Sequence, residues 1–407
     1  MASRYFQKGF GLKAEVQVQL ESDYHSELVK GLKASGHALT AGDLKIRLAA
    51  EFGFCYGVDR AIDYAYETRR KFPDRRIFLV GEIIHNPGVN DRLREMGIAF
   101  LTQELGDDHG FGKLSADDVV IIPAFGVTTG QMAELGRIGS ILVDTTCGSV
   151  LNVWKRVERY AQDSFTSVIH GKHYHEETRA TASRALAHAG GHYVVVRDMG
   201  ETEITCDYLR ALARDGRGPR AEFLARFSKA CSPGFDPDLH LRRIGVANQT
   251  TMLMAESLAI AERVRAVMLE CFGPEHVAAH FRSFDTICSA TQDRQDAVVN
   301  LLAEGVQVMV VIGGYNSSNT ANLAHMCAER VKTYHVATSN ALGSDGSIRH
   351  LPTGAREEVR EDAWLAAGPV IIGMTAGAST PDSEVGAVIE RILHLRGLSA
   401  ADVVLGR

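Results

Sequence analysis

Asp144-Thr-Thr-Cys147 returns as Asp285-Thr-Ile-Cys288, and a third cysteine opens a comparable stretch in Glu51-Phe-Gly-Phe-Cys55-Tyr-Gly57. Outward from each cysteine the same order of patterns recurs: a helical period, a short apolar strand, and a polar cluster at nearly constant distance. His85 lies 30 residues after Cys55, His175 lies 28 after Cys147, and Asn316 lies 28 after Cys288. Self-similarity on this scale predicts one α/β unit used three times.

In the first unit a helical pattern over Val58–Arg70 leads to a strand at Arg76–Val80 and the turn Glu82-Ile-Ile-His85-Asn86-Pro87. A later strand, Asp118–Ile122, reaches Pro123-Ala-Phe-Gly126, and another at Ser140–Val143 delivers the chain to Cys147. The second unit has strand Ser167–His170 before Gly171-Lys-His-Tyr-His175-Glu176-Glu177-Thr178, and strand Ile244–Ala247 before Asn248-Gln-Thr250-Thr251. The third has strand Gln307–Ile312 before Gly313-Gly-Tyr-Asn316-Ser317-Ser318-Asn319-Thr320, and strand Pro369–Gly373 leading to Ala376-Gly-Ala-Ser379-Thr380. Strands alternating with helices predict parallel sheets, with ligands at the strands' carboxyl ends. The fold class expected is therefore α/β, with three similar lobes and parallel sheets around a pseudo-threefold axis. Residues 1–55 form an N-terminal extension and the strand leading to Cys55. The lobes are 56–147, then 148–287 with a surface insertion at about 201–241, then 288–407 with the C-terminal helix.

Composition narrows the function. The chain has 407 residues, 45% of them hydrophobic, and a formal charge of −6, which argues against nucleic acid held on a basic surface. No apolar run is long enough to span a bilayer, and no apolar signal core follows Met1, so a cytoplasmic location is expected. Seven cysteines spread over this length suit thiols or metal ligation better than a disulfide framework. Cys206, Cys271 and Cys327 lie in helical contexts and read as small hydrophobes.

Three thiolates at corresponding points of three repeats can hold three irons of a four-iron cluster and leave the fourth open for chemistry. They are 92 and 141 residues apart, unlike the close spacing of most cluster motifs. Zinc is less attractive because no fourth ligand at metal spacing accompanies them. The His175–Thr178 stretch combines a glutamate able to deliver a proton with a neighbouring histidine. Acidic residues also suit any helix start, which is the bland alternative. Asn316–Asn319 precedes a helix and offers N–H, hydroxyl and amide donors to an anion beyond what capping needs. Ser379-Thr380 repeats that arrangement, and His85 occupies the matching place in the first unit. There is no Walker A or G-x-G-x-x-G pattern. On the residues alone, a cluster-bearing sensor of a phosphorylated metabolite and a structural zinc protein stand beside a cluster enzyme.

The ordered motifs together resemble the hydroxymethylbutenyl diphosphate reductase family. They are Phe54-Cys55-Tyr-Gly-Val-Asp-Arg-Ala, Glu82-Ile-Ile-His85-Asn-Pro, Asp144-Thr-Thr-Cys147, His170-Gly-Lys-x-x-His175-Glu-Glu-Thr, Asn248-Gln-Thr-Thr, Thr286-Ile-Cys288-x-Ala-Thr-Gln-x-Arg-Gln, Asn316-Ser-Ser-Asn-Thr and Thr375-Ala-Gly-Ala-Ser379. The match runs from about Lys8 to the last helix and is closest to the plant and cyanobacterial branch. No transit peptide is visible, which points to a bacterial origin.

The resemblance implies a [4Fe–4S] cluster on Cys55, Cys147 and Cys288, at the centre of the three lobes, with one open iron that takes the substrate hydroxyl. It implies an oxidoreductase that removes this hydroxyl from 4-hydroxy-3-methylbut-2-enyl diphosphate. The products would be isopentenyl and dimethylallyl diphosphate, at the last step of the methylerythritol phosphate route to isoprenoids. Glu177 would start proton delivery, and His175 and Thr250 would orient the hydroxyl. His85, Ser317, Ser318, Asn319 and Ser379 would hold the diphosphate. A ferredoxin or flavodoxin would supply electrons singly. Two positions depart from the family pattern. Phe125 stands where many bacterial members place a diphosphate-binding histidine, and Lys172 is the expected substitute for that contact. Gly148 follows Cys147 where proline is usual.

Overall fold

Ile77-Phe-Leu-Val80, Val119-Val-Ile-Ile122 and Val308-Met-Val-Val-Ile312 are apolar at every residue, as strands covered on both faces require. The structure, a computed structural model, describes residues 4–102, 110–284 and 286–406. All of these runs are strands, and their contacts divide the chain into two compact units. The first comprises Met1–Gln7, Phe78–Gly81 and Leu101–Cys288; the second comprises Lys8–Ile77, Glu82–Phe100 and Ser289–Arg407.

The first unit holds two sheets. In one, the strand order is Tyr5–Phe6, Ile141–Asp144, Val119–Ile122 and Ile77–Val80. Ile122 is in register with Asp144 in a parallel pair, so the turn after each emerges on one edge. The other runs Phe281–Ser283, Ile244–Asn248, Thr166–His170 and Tyr193–Val196, all parallel. Asn248 sits opposite His170, which brings the Gly171–Thr178 and Asn248–Thr251 loops side by side. The helix Gly148–Gln162 buries Val150, Val153, Trp154 and Val157, the three-four spacing of one helix face.

The second unit is built on one six-stranded sheet. Its order is Lys332–Val336, Val308–Ile312, Val370–Ala376, Leu44–Leu48, Ala38–Ala41 and Val404–Leu405. The first four strands are parallel and the last two join antiparallel. Ile312 lies opposite Ala376, so the Gly313–Ser317 and Gly377–Thr380 turns leave the sheet together.

The architecture is mixed α/β with mostly parallel sheets, as the alternating pattern predicts. Two differences have local reasons. The segment before Leu44 is not a mere extension: Ala38–Ala41 joins the six-stranded sheet, and Tyr5–Phe6 forms an edge strand too short to show a period. Residues 201–241 contain the helices Met199–Asp215, Arg220–Phe227 and Pro237–His240, which cap the second sheet of the first unit. Tyr208, Leu209, Phe223, Phe227 and Phe235 are buried in its core, each contributing about 1.5–3 kcal/mol relative to exposure. Their charged neighbours disguise that apolar face in the sequence.

Candidate iron–sulfur and diphosphate site

Each of the three repeat cysteines opens a helix. Cys55 and Cys147 are the N-cap residues of Tyr56–Lys71 and Gly148–Gln162, and Cys288 directly precedes Ser289–Ala303. Helix N-termini carry unpaired N–H groups and a positive dipole end. All three side chains are half-buried and none forms a disulfide. Cys206 and Cys327 contrast with them: both are buried in cores, and burial pushes their thiols up to about 12. Three half-buried sulfur donors at helix starts, unlike the two sealed in cores, are a donor set that fits an iron–sulfur group.

In the first unit a chain of hydrogen bonds joins Ser149, two residues after Cys147, to Cys288, Thr250, Glu177 and His175. The Ser149 hydroxyl donates to Cys288 Sγ at 3.4 Å, linking the turn after Cys147 to the second thiol. The Cys288 N–H donates to the Thr250 carbonyl at 3.4 Å. Thr250 N–H donates to Glu177 Oε1 at 2.6 Å, and Glu177 N–H donates to His175 Nδ1 at 3.2 Å. With Nδ1 accepting, the neutral His175 ring carries its proton on Nε2. Both His175 and Glu177 are buried, so their polar atoms act with little competition from water. Asp285, the first residue of the third cysteine motif, lies outside the described residues.

Phe125 packs edge-on against His175, ring centroids 6.0 Å apart at 80°. In this chain the aromatic at that position therefore shapes the histidine pocket and has no polar atom to offer an anion. Lys172 is half-buried, and burial lowers the pKa of its ammonium. Its backbone N–H donates to Gln249 Oε1 at 3.2 Å.

The second unit gathers Cys55, His85, Ser317, Ser318, Asn319 and Ser379. The Cys55 N–H donates to the Ala378 carbonyl, and Ala378 N–H donates to Asn319 Oδ1 at 2.9 Å. Ser379 Oγ donates to the His85 carbonyl at 3.2 Å. Glycine is required where these turns meet. A Cβ on Gly314 would lie 2.5 Å from the His85 carbonyl oxygen, and one on Gly377 would lie 1.9 Å from Thr320 Oγ1.

Ser317 caps Ser318–Ala328 by accepting from Thr320 N–H, and it also accepts from the Thr320 hydroxyl, which leaves its own O–H to donate. Asn319 is 3% exposed, yet its Nδ2 is a buried donor with no partner. With Oδ1 engaged by Ala378, the amide is oriented and its two N–H bonds remain for a ligand. An orphaned buried amide at the start of an eleven-residue helix fits a phosphate oxygen.

Three positioning residues have tasks that the local sequence does not reveal. The Tyr5 hydroxyl donates to Asp144, whose other oxygen accepts from Thr146 N–H at 2.9 Å and Thr146 Oγ1 at 2.5 Å, fixing the turn before Cys147. Arg294 is buried and donates to the Gly53 carbonyl at 2.7 and 3.2 Å and to the Phe54 carbonyl at 3.2 Å, fixing the turn before Cys55. Gln249 bridges the two polar loops of the first unit: Oε1 accepts from Thr178 and Lys172, and Nε2 donates to Thr251. Gln249 and Arg294 lie inside legible motifs, but only their contacts assign a task.

The sequence model described as LytB protein matches residues 46–393. Proteins named 4-hydroxy-3-methylbut-2-enyl diphosphate reductase are similar over nearly the whole length. The one from Synechococcus sp. (strain CC9311) is 48% identical over 395 residues, 97% of this chain and 96% of the relative. The one from Gloeobacter violaceus is 47% identical over 404 residues, 98% and 94% of the two chains. A solved structure of (E)-4-hydroxy-3-methyl-but-2-enyl diphosphate reductase, described as the terminal enzyme of the non-mevalonate pathway, is 27% identical with a TM-score of 0.50, covering 86% of this chain and 99% of that one. A Plasmodium falciparum reductase structure shares the fold at a TM-score of 0.62 and 20% identity, covering 86% and 87%. With a family match over most of its length and relatives at this identity, the chain belongs to the LytB protein family.

Proposed function

We propose that this chain catalyses the reaction for which its relatives are named, reductive removal of the hydroxyl of 4-hydroxy-3-methylbut-2-enyl diphosphate. The products are isopentenyl and dimethylallyl diphosphate, and the step is the last of the methylerythritol phosphate route. Reductases of this family are iron–sulfur dependent. The finer assignment is a [4Fe–4S] cluster on Cys55, Cys147 and Cys288 with one open iron. What supports it above all is that each of these thiols stands at the start of a helix. When bound, the cluster supplies electrons, and its open iron acts as a Lewis acid toward the leaving hydroxyl.

The chain's own groups then divide the work. Loss of the hydroxyl as water consumes two electrons and two protons. Glu177 holds a proton at the carboxyl group that Thr250 N–H orients, and passes it to the leaving oxygen. His175 and Thr250 orient that oxygen. His85, Ser317, Ser318, Asn319 and Ser379 hold the diphosphate, Asn319 through its unpartnered amide. Charge-assisted hydrogen bonds of this kind contribute about 1.5–3 kcal/mol each, so neutral hydroxyl and amide donors can carry much of the anion binding. Delivery of the second proton at either of two carbons gives the two products. Electrons arrive one at a time from a ferredoxin or flavodoxin.

The direct test is anaerobic turnover. Cluster-loaded protein, reduced methyl viologen and the hydroxylated diphosphate should yield both unsaturated diphosphates. Tight binding of the diphosphate with no product would mark the chain as a sensor and overturn the proposal.

A further inference from the structure

The helix that begins at Cys147 carries a second pattern on its outer face. Asn152, Lys155, Arg156 and Arg159 are exposed and follow the spacing i, i+3, i+4, i+7, so they form one stripe along Gly148–Gln162. The opposite face is the buried one. Lys155, Arg156 and Arg159 line a groove of about 620 Å³ whose remaining lining includes Ser149, Thr286 and Ile287. Ser149 is the residue whose hydroxyl donates to Cys288 Sγ, and Thr286 and Ile287 lead directly into Cys288. A cationic groove therefore reaches the backbone around two of the three repeat cysteines.

Charge on an exposed helix is ordinarily a solvated face, and basic residues in a last turn suit the helix dipole. Lys155 and Arg156 are in mid-helix, where that explanation is weak. Among the described residues lining the groove there is no carboxylate. Asp163, just beyond it, pairs with Arg159 at 3.1 Å and also with Arg282, leaving the stripe positive. The whole chain carries −6, so this positive face stands out against its average. The Arg156 guanidinium lies 4.1 Å over the ring of Phe284, which is 42% exposed. An exposed aromatic beside a fixed arginine is the composition of an interface anchor.

We propose that this groove is the docking surface for an acidic one-electron carrier protein that reduces the cluster. The inference rests on the reaction proposed above, which needs two electrons delivered singly close to the cysteines. A positive stripe facing a negative carrier raises the encounter rate and fixes orientation, and redox encounters of this kind need only a small interface.

The test uses anaerobic holoprotein and a reduced or oxidised plant-type [2Fe–2S] ferredoxin, with binding measured by calorimetry at low and high salt. Lys155→Glu/Arg156→Glu should raise the dissociation constant at least about tenfold and flatten its salt dependence. Lys155→Arg/Arg156→Lys should bind like the parent. Turnover driven by reduced methyl viologen, and the cluster absorbance, should be the same in all three proteins. Unchanged ferredoxin affinity in the Glu/Glu variant would overturn the surface, as would parent binding that is indifferent to salt. Failure of every form to turn over with viologen would count against the reaction itself, while the calorimetry still decides the surface.

Discussion

Cys288→Ser should yield folded protein with neither visible absorbance nor turnover. Iron–sulfur clusters require soft, deprotonated sulfur, and a serine hydroxyl is a harder ligand that stays protonated at neutral pH. The substitution hardly changes volume, and Cys288 is only half-buried, so loss of fold is not the expected cause. The Cys288 N–H to Thr250 carbonyl bond is made by the backbone and survives. Cys327→Ser supplies the contrast. That thiol is buried among Leu323, Ala324 and Val311, and a hydroxyl there should lower stability by about 1–3 kcal/mol while colour and activity persist. Spectra, iron analysis and a melting curve on both variants check the pair. If Cys288→Ser kept its iron and activity, the thiol would not be a ligand.

Glu177→Gln should leave the cluster spectrum intact and lower the dehydroxylation rate at least about a hundredfold, the lower end for a general acid. Glutamine keeps an Oε1 that can accept the 2.6 Å hydrogen bond from Thr250 N–H, so the loop geometry has reason to persist. What it lacks is a proton it can give up. The fall should therefore appear in kcat, with KM changed by at most a few-fold, because an interaction used only in the transition state is removed. Single-turnover kinetics with pre-reduced protein separates this step from electron delivery. Near-normal turnover would take Glu177 out of the proton route.

Much of the candidate site is legible because its signals are local. The strands before His85, His175 and Asn316 are short apolar runs that end in polar turns, and the structure gives them as Ile77–Val80, Thr166–His170 and Val308–Ile312. The first of the cysteine-led helix starts is read late: the expected pattern opens at Val58, whereas the helix begins at Tyr56. Cysteine is not a usual capping residue, so nothing in the local code marks those starts. Long-range supports are invisible for a different reason. Tyr5 reaches Asp144 across 139 positions and Arg294 reaches Gly53 across 241, and neither pair leaves a period or a motif. The Asn319 amide reads as ordinary capping until its oxygen is seen engaged by Ala378 and its nitrogen left without a partner.

The helix beginning at Cys147 joins two of these themes. Its inner face, Val153, Val157 and Tyr160, packs with Phe165 and Ala247, which holds the turn that presents the thiol. Its outer face carries the basic stripe. On the proposed reading, one amphipathic period would set both the placement of the Cys147 thiol and the charge offered to a redox partner.

The most direct measurement is an iron and acid-labile sulfide count on anaerobically reconstituted protein, with thiol alkylation mapped by mass spectrometry before and after loading. About four irons and four sulfides per chain are expected, with Cys55, Cys147 and Cys288 protected only when loaded. A loaded protein in which any one of these thiols is alkylated as fast as in the metal-free form, or which takes up zinc and no sulfide, would contradict the account.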